Sequence, residues 1–168
     1  IQAIAAAELM ARVYGIEKVL IVCPSSLKYQ WKQEIEKFTD RTAQVIQGLW
    51  HLRQPQYETP VFFKIVNYDV IHRDLEAIGK WAPDLVILDE AQRIKNWKTR
   101  LAKSVKQLFS PYTMVLTGTP LENRLEEIHS IVEFIDRNHL GPLFRFLDAH
   151  QMMDPSGKVV GYKDLHRL

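Results

Sequence analysis

Cysteine is scarce in this sequence, with a single residue among 168. Cys23 cannot form a disulfide bond within the chain, and it lies at the end of an apolar run that begins at Val19. A free cysteine in such a run behaves as a small packing residue. The scarcity of cysteine favours a reducing, intracellular setting over a disulfide-stabilised secreted domain.

Long apolar segments and strong net charge are also missing. No stretch approaches the roughly 20 apolar residues that a membrane-spanning helix needs, and no signal peptide is visible, so we expect no membrane partner. The formal net charge of +2 is too small to indicate nucleic-acid binding by itself. A hydrophobic content of 46% and a charged content of 25% are ordinary for one well-buried globular domain.

Several common patterns of catalytic and ligand-binding residues are absent. The six histidines show no metal-ligand spacing, and there is no nucleophile elbow or Cys/His pair. His129 and His166 stand alone, and we interpret them as residues without a catalytic role. The phosphate-binding loop G-x-x-x-x-G-K-[ST] is absent as well.

Apolar runs and helical patterns alternate along the chain about five times. This alternation is typical of βαβ units and predicts an α/β fold with a mainly parallel sheet. Residues 48–60 read as a polar loop that contains Trp50, and the pattern loosens beyond His139. The predicted strands are 19–23, 43–47, 61–66, 85–89 and 112–116, and the predicted helices are 1–14, 27–38, 68–78, 97–109 and 125–135.

The most informative feature is a pair of predicted strands that stop abruptly at polar residues. The run from Leu85 delivers Asp89 and Glu90, and the next strand delivers Thr117-Gly118-Thr119. Ligands of open α/β sheets bind at the carboxyl ends of the strands. Mg²⁺ prefers carboxylate and water oxygens, and glycine beside hydroxyls lets the backbone approach a phosphate. Together these ends predict one site for a metal-bound phosphate, although either motif alone would also suit a simple turn.

A second group of residues suits contact with a phosphate backbone. Pro24, Ser25 and Ser26 close the first strand, where a helix N-terminus offers an anion site, but a serine could equally cap that helix. Lys28 adds a positive charge. Trp31 lies on the apolar stripe of the helix, which favours a core position over stacking on a base.

A run of six basic residues without an acidic one follows the acidic pair. It could track a phosphate backbone, or it could be the solvated face of an amphipathic helix, and both interpretations stay open. Its members are Arg93, Lys95, Lys98, Arg100, Lys103 and Lys106.

These motifs occur together in a familiar order. The segments LIVCPSSLKYQWKQEIEKF, IVNYDVI, LVILDEAQRIKN and VLTGTPLENRLEEIHSIVEF resemble successive motifs of the SWI/SNF-type DNA-translocating ATPases, within the superfamily-two helicases. The resemblance covers nearly the whole chain. DEAQ-RIKN with LTGTP-LEN is its most specific part, and the RIKN and LEN extensions differ from the DEAD-box RNA helicases.

The resemblance implies a RecA-like three-layer α/β/α sandwich with a mainly parallel sheet. Residues 1–140 would be part of the first RecA-like lobe of such a motor. Residues 141–168 would be an irregular helical appendage or the start of an inter-lobe segment.

The resemblance also implies roles for individual residues. Asp89 would coordinate Mg²⁺, often through water, and Glu90 would activate the water that attacks ATP. Gln92, where many relatives have histidine, would couple the nucleotide site to Thr117-Gly118-Thr119. The residues implied to face the DNA backbone are Pro24, Ser25, Ser26, Lys28, Asn67 and Tyr68.

Motors of this family hold ATP between two RecA-like lobes and translocate along duplex DNA. The implied partners are therefore duplex DNA, the second lobe of the same parent chain and DNA-bound proteins. Residues 1–10 resemble the helix that follows the phosphate-binding loop, but the loop and the second lobe, with its arginine finger, are not in this sequence. We therefore expect ATP and Mg²⁺ to bind the parent protein, and the chain alone to bind neither and to be inactive.

Two other interpretations deserve a test. A degenerate, non-catalytic domain could keep the fold in order to bind DNA or a protein, and the missing loop supports that view. The intact Asp89, Glu90 and Thr117-Gly118-Thr119 argue against it. A third interpretation is an RNA helicase, whose ATPase activity RNA rather than duplex DNA would stimulate.

Overall fold

The domain is built on a five-stranded parallel sheet. The computed structural model describes residues 1–118 and 125–164, and in it the strand order is β2-β3-β1-β4-β5. The strands are β1 (Val19–Cys23), β2 (Ala43–Val45), β3 (Phe63–Asn67), β4 (Leu85–Leu88) and β5 (Tyr112–Val115). The three central strands β1, β3 and β4 are short apolar runs buried on both faces, as is usual when helices cover a parallel sheet, whereas the edge strands β2 and β5 are mostly half-buried.

Seven α-helices are found among the described residues, and short 3₁₀ turns at Ser25–Leu27, Tyr68–Val70 and Ala91–Ile94 join strand ends to helices. The first helix ends where predicted, because Gly15 adopts a left-handed conformation (φ 70°) that closes its last turn. The helices are α1 (Gln2–Tyr14), α2 (Lys28–Phe38), α3 (Trp50–Glu58), α4 (Ile71–Trp81), α5 (Arg100–Val105), α6 (Leu125–Ile135) and α7 (Leu143–His150).

The sheet separates two hydrophobic cores, which makes the domain a three-layer sandwich. Side chains of a strand alternate between the faces of the sheet. In β1, Val19, Ile21 and Cys23 pack on the side of α1 and α2, whereas Leu20 and Val22 pack on the side of α3 to α6.

The strands are added on one side of β1 and then on the other. From β1 it passes through α2 to the edge strand β2, and from β4 it passes through α5 to the opposite edge strand β5. α2 and α5 lie on opposite faces. The crevice at the carboxyl ends of β1 and β4 is therefore the topological switch point, where open α/β sheets bind their ligands.

Helix α3 corrects the prediction of a polar loop around Trp50. Its sequence contains Pro55 and lacks an apolar stripe, so the usual signals of a helix are missing. The helix is held instead by charge: both Arg53 Nε and Arg53 Nη2 donate to the carboxylate of Asp74 in α4 at 2.7 Å. Tyr57 adds a third hydrogen bond to Asp74 at 3.0 Å.

A buried lysine fixes the other end of α3. Lys64 in β3 is fully buried, and its ammonium donates to the carbonyls of Gln56 and Thr59 at 2.9 and 2.7 Å. It also lies 4.9 Å from the ring centre of Trp81. The positive charge therefore satisfies carbonyls at the C-terminus of a helix, the end that favours a cation.

Helix α5 is shorter than the 97–109 helix that the sequence predicts. Asn96 Oδ1 accepts from the backbone N–H of Lys98, and this local turn competes with helix. Thr99 then caps the helix, because its hydroxyl accepts from the backbone N–H of Ala102 at 3.1 Å.

The chain beyond His139 is more regular than its sequence indicates. It contains α7 and a hairpin of β6 (Gln151–Met153) and β7 (Val159–Tyr162). His129 in α6 anchors this segment: it is buried, its Nε2 lies 2.8 Å from the Gly141 carbonyl oxygen, and its ring packs on Phe146. The contact supports a structural interpretation of His129, while His166 lies outside the described residues.

Two further findings concern the burial of Cys23 and the character of the helices. Cys23 is fully buried, with Sγ 3.8 Å from the Val66 carbonyl oxygen, and burial raises the pKa of its thiol to about 12. Within residues 1–118 and 125–164, no helix has the length and apolar character needed to cross a bilayer.

Candidate active site

The acidic pair lies at the switch point, directly after β4. The backbone N–H of Asp89 donates to the Val22 carbonyl at 2.8 Å, which extends the pairing of β4 with β1 by one residue. Glu90 then turns the chain with φ 54° and ψ 51°, a left-handed conformation that is uncommon for a residue with a side chain. Such conformations concentrate at functional sites, where the surrounding structure enforces them.

Glu90 is joined to the end of β5 through Gln92. The amide Nε2 of Gln92 donates to Glu90 Oε2, and its Oε1 accepts from the Thr117 hydroxyl at 3.0 Å. The backbone N–H of Ala91 also donates to the Leu116 carbonyl at 3.0 Å. The acidic pair and the hydroxyl-bearing turn therefore meet at one edge of the sheet, as expected from the order of the motifs.

Not every member of that turn can be placed. Thr117 and Gly118 are exposed at the end of β5. Thr119, which the sequence assigned to the nucleotide site, lies outside the described residues.

Two aromatic side chains hold Asp89 from opposite sides. The indole Nε1 of Trp31 donates to Asp89 Oδ2 at 2.8 Å, and the hydroxyl of Tyr68 donates to the Asp89 backbone carbonyl at 2.7 Å. Trp31 is half-buried against the α1 and α2 core, so the core position predicted for it is present. Its contact with Asp89 was missed, because spacing along one helix does not report a partner 58 residues away.

A cavity of about 220 Å³ adjoins Asp89. Asp89 and Trp31 form part of its wall, and the first turn of α1 closes it with Ile1 and Ile4. The cavity is smaller than the roughly 300–1,000 Å³ usual for small-ligand sites. Asp89 and Glu90 are both half-buried, and Asp89 borders the cavity, so its carboxylate is not sealed in the core.

The ligand chemistry of this edge fits a hard cation such as Mg²⁺. The groups present are the carboxylate of Asp89, the carboxylate of Glu90 and the hydroxyl of Thr117, which are oxygen ligands. No group of three or more His, Cys, Asp or Glu side chains in the described part of the chain could enclose a metal ion. A single carboxylate suits Mg²⁺, which keeps several waters and shares substrate phosphates.

The segments implied to face DNA lie side by side on neighbouring strands. Cys23 at the end of β1 pairs with Asn67 at the end of β3. Ser25 and Ser26 are exposed, and neither caps a helix, so the alternative role of a helix cap is not used. Asn67 is half-buried, with Nδ2 3.3 Å from Asp69 Oδ2.

Two further implied DNA residues, Lys28 and Tyr68, also have protein partners. Lys28 is half-buried, and its Nζ lies 3.5 Å from the Ile46 carbonyl oxygen. Tyr68 is only 2% exposed, and its hydroxyl is committed to Asp89. By its burial Tyr68 is a core residue, and its assignment to the DNA backbone stays a prediction.

The basic run is divided between two environments. Lys95 pairs with Glu127 at 3.2 Å, and Lys106 pairs with Glu133 at 2.6 Å, so both are partnered by α6. Arg93 lies over the ring of Tyr68 with its Cζ 5.9 Å from the centroid. The remaining members, Lys98, Arg100 and Lys103, are exposed. The run is therefore not one continuous basic face.

Sheet order and switch point define the class of doubly wound α/β domains, which bind ligands at the carboxyl ends of their strands. The SNF2-related domain matches residues 1–168, and the chain belongs to that family. The family assignment expected from the motifs is thus confirmed.

Curated relatives agree with this assignment. The chain is 35% identical over 129 residues to human TATA-binding protein-associated factor 172, covering 73% of this chain and 7% of that protein. It is 34% identical over 134 residues to the uncharacterized ATP-dependent helicase MG018 of Mycoplasma genitalium, covering 79% of this chain and 13% of the relative. It is 31% identical over 143 residues to the chicken DNA repair and recombination protein RAD54-like, covering 78% and 20%. The chain thus spans a small part of these relatives.

A solved structure has the same fold. The Sulfolobus solfataricus SWI2/SNF2 ATPase core in complex with dsDNA superposes with a TM-score of 0.76 at 29% identity, over 89% of this chain and 31% of the other. The RecA-like three-layer sandwich with a parallel sheet is therefore confirmed.

Proposed function

We propose that this chain is part of the first lobe of an ATP-dependent DNA translocase, which couples ATP hydrolysis to movement on duplex DNA. The observation that carries the proposal is the set of contacts from Glu90 through Gln92 to Thr117, at the switch point of an SNF2-related domain. Two curated relatives are named as an ATP-dependent helicase and a DNA repair protein, which supports the same activity.

The proposed chemistry is hydrolysis of ATP by an oriented water. Asp89 would hold Mg²⁺ largely through water, and the ion would neutralise charge on the phosphate oxygens. Glu90 would orient the attacking water and accept its proton. Gln92 holds the Glu90 carboxylate through Nε2, and it would report the state of the nucleotide site to Thr117, Gly118 and Thr119.

The proposed DNA surface is the neighbouring edge of the sheet. Pro24, Ser25 and Ser26 after β1 and Asn67 after β3 would contact the phosphate backbone, with Lys28 adding positive charge. Hydroxyl, amide and backbone N–H donors of this kind position a protein on DNA without reading its sequence. Translocation on varied DNA requires that property.

The rest of the machinery is assigned to the complete protein. In this proposal residues 1–140 belong to the lobe, and residues 141–168 are an appendage or the start of an inter-lobe segment. A phosphate-binding loop, a second lobe with an arginine finger, and contacts with DNA-bound proteins would complete the motor. The whole would work inside the cell on nucleic acid.

Glu90→Gln in the complete protein tests the proposal. The amide keeps the size of the side chain but cannot accept a proton, so DNA-stimulated ATP hydrolysis should fall by about 10²–10⁴-fold while ATP binding survives. Steady-state ATPase assays with and without duplex DNA, together with nucleotide binding, measure both quantities.

Glu76→Gln is the matched control, since Glu76 is exposed on α4 and, among the described residues, forms an ion pair with Lys80 alone. Unchanged turnover in Glu90→Gln would refute the assigned role. Failure of the wild-type protein to gain thermal stability with nucleotide would favour a non-catalytic binding domain. Stimulation by RNA but not by duplex DNA would favour an RNA helicase.

A further inference from the structure

Asp89 is held in three places, by strand β1, by helix α2 and by the turn that follows β3. Its N–H donates to Val22 of β1 at 2.8 Å, its carbonyl accepts from Tyr68 at 2.7 Å, and its carboxylate accepts from Trp31 at 2.8 Å. The first contact is ordinary strand pairing. The other two are made by side chains whose burial leaves them little freedom.

The indole contact engages one of the two carboxylate oxygens of Asp89. A tryptophan N–H can only donate, so it supports an oxygen that accepts. It engages Oδ2, and among the described residues no hydrogen bond to Oδ1 is found. Trp31 therefore fixes the rotation of the carboxylate and leaves one oxygen directed to other ligands.

Both aromatic residues continue from segments proposed to contact DNA. Trp31 lies in the first turn of α2, which directly follows Ser25 and Ser26, and Tyr68 directly follows Asn67. A shift of either segment on a DNA backbone would therefore move a side chain that touches Asp89.

We propose that Trp31 and Tyr68 are positioning residues that orient Asp89 for its metal and tie it to the two DNA-facing segments, so that bound DNA stimulates ATP hydrolysis through them. This inference rests on the proposed function. It explains why the indole N–H of Trp31 and the hydroxyl of Tyr68 both bind Asp89. A strand end with only a structural role would require neither hydrogen bond.

The first test is Trp31→Phe in the complete protein, because phenylalanine fills the same half-buried place without the N–H. Hydrogen-bond partners of metal-binding groups typically contribute about 10–100-fold to metal affinity or activity. We expect the Mg²⁺ concentration that gives half-maximal ADP-induced thermal stabilisation to rise by about that factor. The stability of the protein without nucleotide should change little.

Trp50→Phe is the matched control for this variant. The indole of Trp50 also donates to one acceptor, the Arg73 carbonyl at 3.1 Å, but on α4 and away from Asp89. If Trp31→Phe and Trp50→Phe show the same Mg²⁺ dependence, the positioning role of Trp31 is wrong.

The second test is Tyr68→Phe, with Tyr57→Phe as its control. Each substitution removes a buried hydroxyl that donates to one oxygen of an aspartate, Asp89 or Asp74. The ratio of DNA-stimulated to unstimulated ATPase activity should fall several-fold in Tyr68→Phe and stay at the wild-type value in Tyr57→Phe. Equal ratios in the two variants would overturn the link to DNA.

The wild-type protein separates this inference from the proposed function. If it shows neither Mg²⁺-dependent nucleotide binding nor DNA-stimulated hydrolysis, both fail together. If it shows both, and each variant behaves like its control in the tyrosine pair and in the tryptophan pair, only the positioning role fails.

Discussion

Asp74 and Asp89 are the same residue type at two places in one domain, and they are treated in opposite ways. Asp74 is 2% exposed, and it accepts two hydrogen bonds from Arg53 and one from Tyr57. The Asp89 carboxylate accepts one hydrogen bond in the described part of the chain, from Trp31, and it borders a cavity. A carboxylate saturated by a cation holds helices together, whereas one with a spare oxygen at a switch point is available to a ligand.

The largest expected effect on stability comes from removing the charge of Asp74. Asp74→Asn leaves the buried Arg53 guanidinium without its counter-ion, and breaking such a pair costs about 3–5 kcal/mol in the free energy of unfolding. Asp89→Asn removes no ion pair and should cost about 1 kcal/mol or less. Urea unfolding of the 168-residue chain measures both.

Replacing both members of the pair sharpens the contrast. Arg53→Met with Asp74→Leu removes both charges at once, and apolar residues of similar volume often replace a buried pair with little loss. The double variant should therefore recover part of the stability that Asp74→Asn loses, because the Tyr57 hydroxyl and the Gly48 carbonyl still lose their partners. Equal losses in Asp74→Asn and Asp89→Asn would show that the two carboxylates do not differ as described.

Lys64 extends the comparison to a buried charge with no carboxylate partner. Burial, with a contribution from Lys18, lowers the pKa of Lys64 from its ordinary 10.5 to about 8. Between these values the unfolded chain binds the proton more tightly than the folded one, so the stability due to this group increases as the pH rises through that window.

Lys64→Met removes the titrating group. The difference in stability between the wild type and this variant therefore isolates the pH dependence that Lys64 contributes. The wild type should gain free energy of unfolding relative to Lys64→Met as the pH is raised from about 8 towards 10.5. Urea unfolding of both proteins across that range tests the direction. A difference that is constant with pH, or that shrinks, would mean that the ammonium is not destabilised by its burial.

The smallest expected loss of stability comes from removing one hydrogen bond to Asp74, the one that Tyr57 donates. Tyr57→Phe removes the hydroxyl but leaves both Arg53 contacts, so it should cost about 1 kcal/mol in the free energy of unfolding. The same urea experiment gives the value. A loss as large as that of Asp74→Asn would mean that the tyrosine, and not the arginine, stabilises this carboxylate.

The sequence reveals the sheet and the acidic edge because both follow from local patterns. Short apolar runs separated by helical stripes predict parallel strands, and a run that stops at Asp89 places that residue at a carboxyl end. Helix α6 could be predicted at Leu125–Ile135 because its apolar spacing is regular. These properties depend on neighbours a few positions away.

What the sequence hides depends on partners that are distant along the chain. Helix α3 needs Arg53 to find Asp74, 21 residues on, and no helical pattern records that pair. Tyr68 reads as a surface residue beside Asn67, yet it is buried and bound to Asp89. Lys64 occupies a strand position that faces a core, and from the sequence a charged residue argues against burial there. Its burial is explained by the carbonyls of Gln56 and Thr59 at the end of α3, which accept from its ammonium.

The burial of Cys23 has a practical consequence for fluorescent labelling of this domain. Only a thiolate reacts readily with maleimides and related dyes, and this sulfur is both inaccessible and held in its neutral form. A cysteine introduced at an exposed position away from the proposed DNA surface, such as Glu76, would then be the one reactive thiol among these 168 residues. Fluorophores attached there could follow motion of the domain on nucleic acid without altering β1.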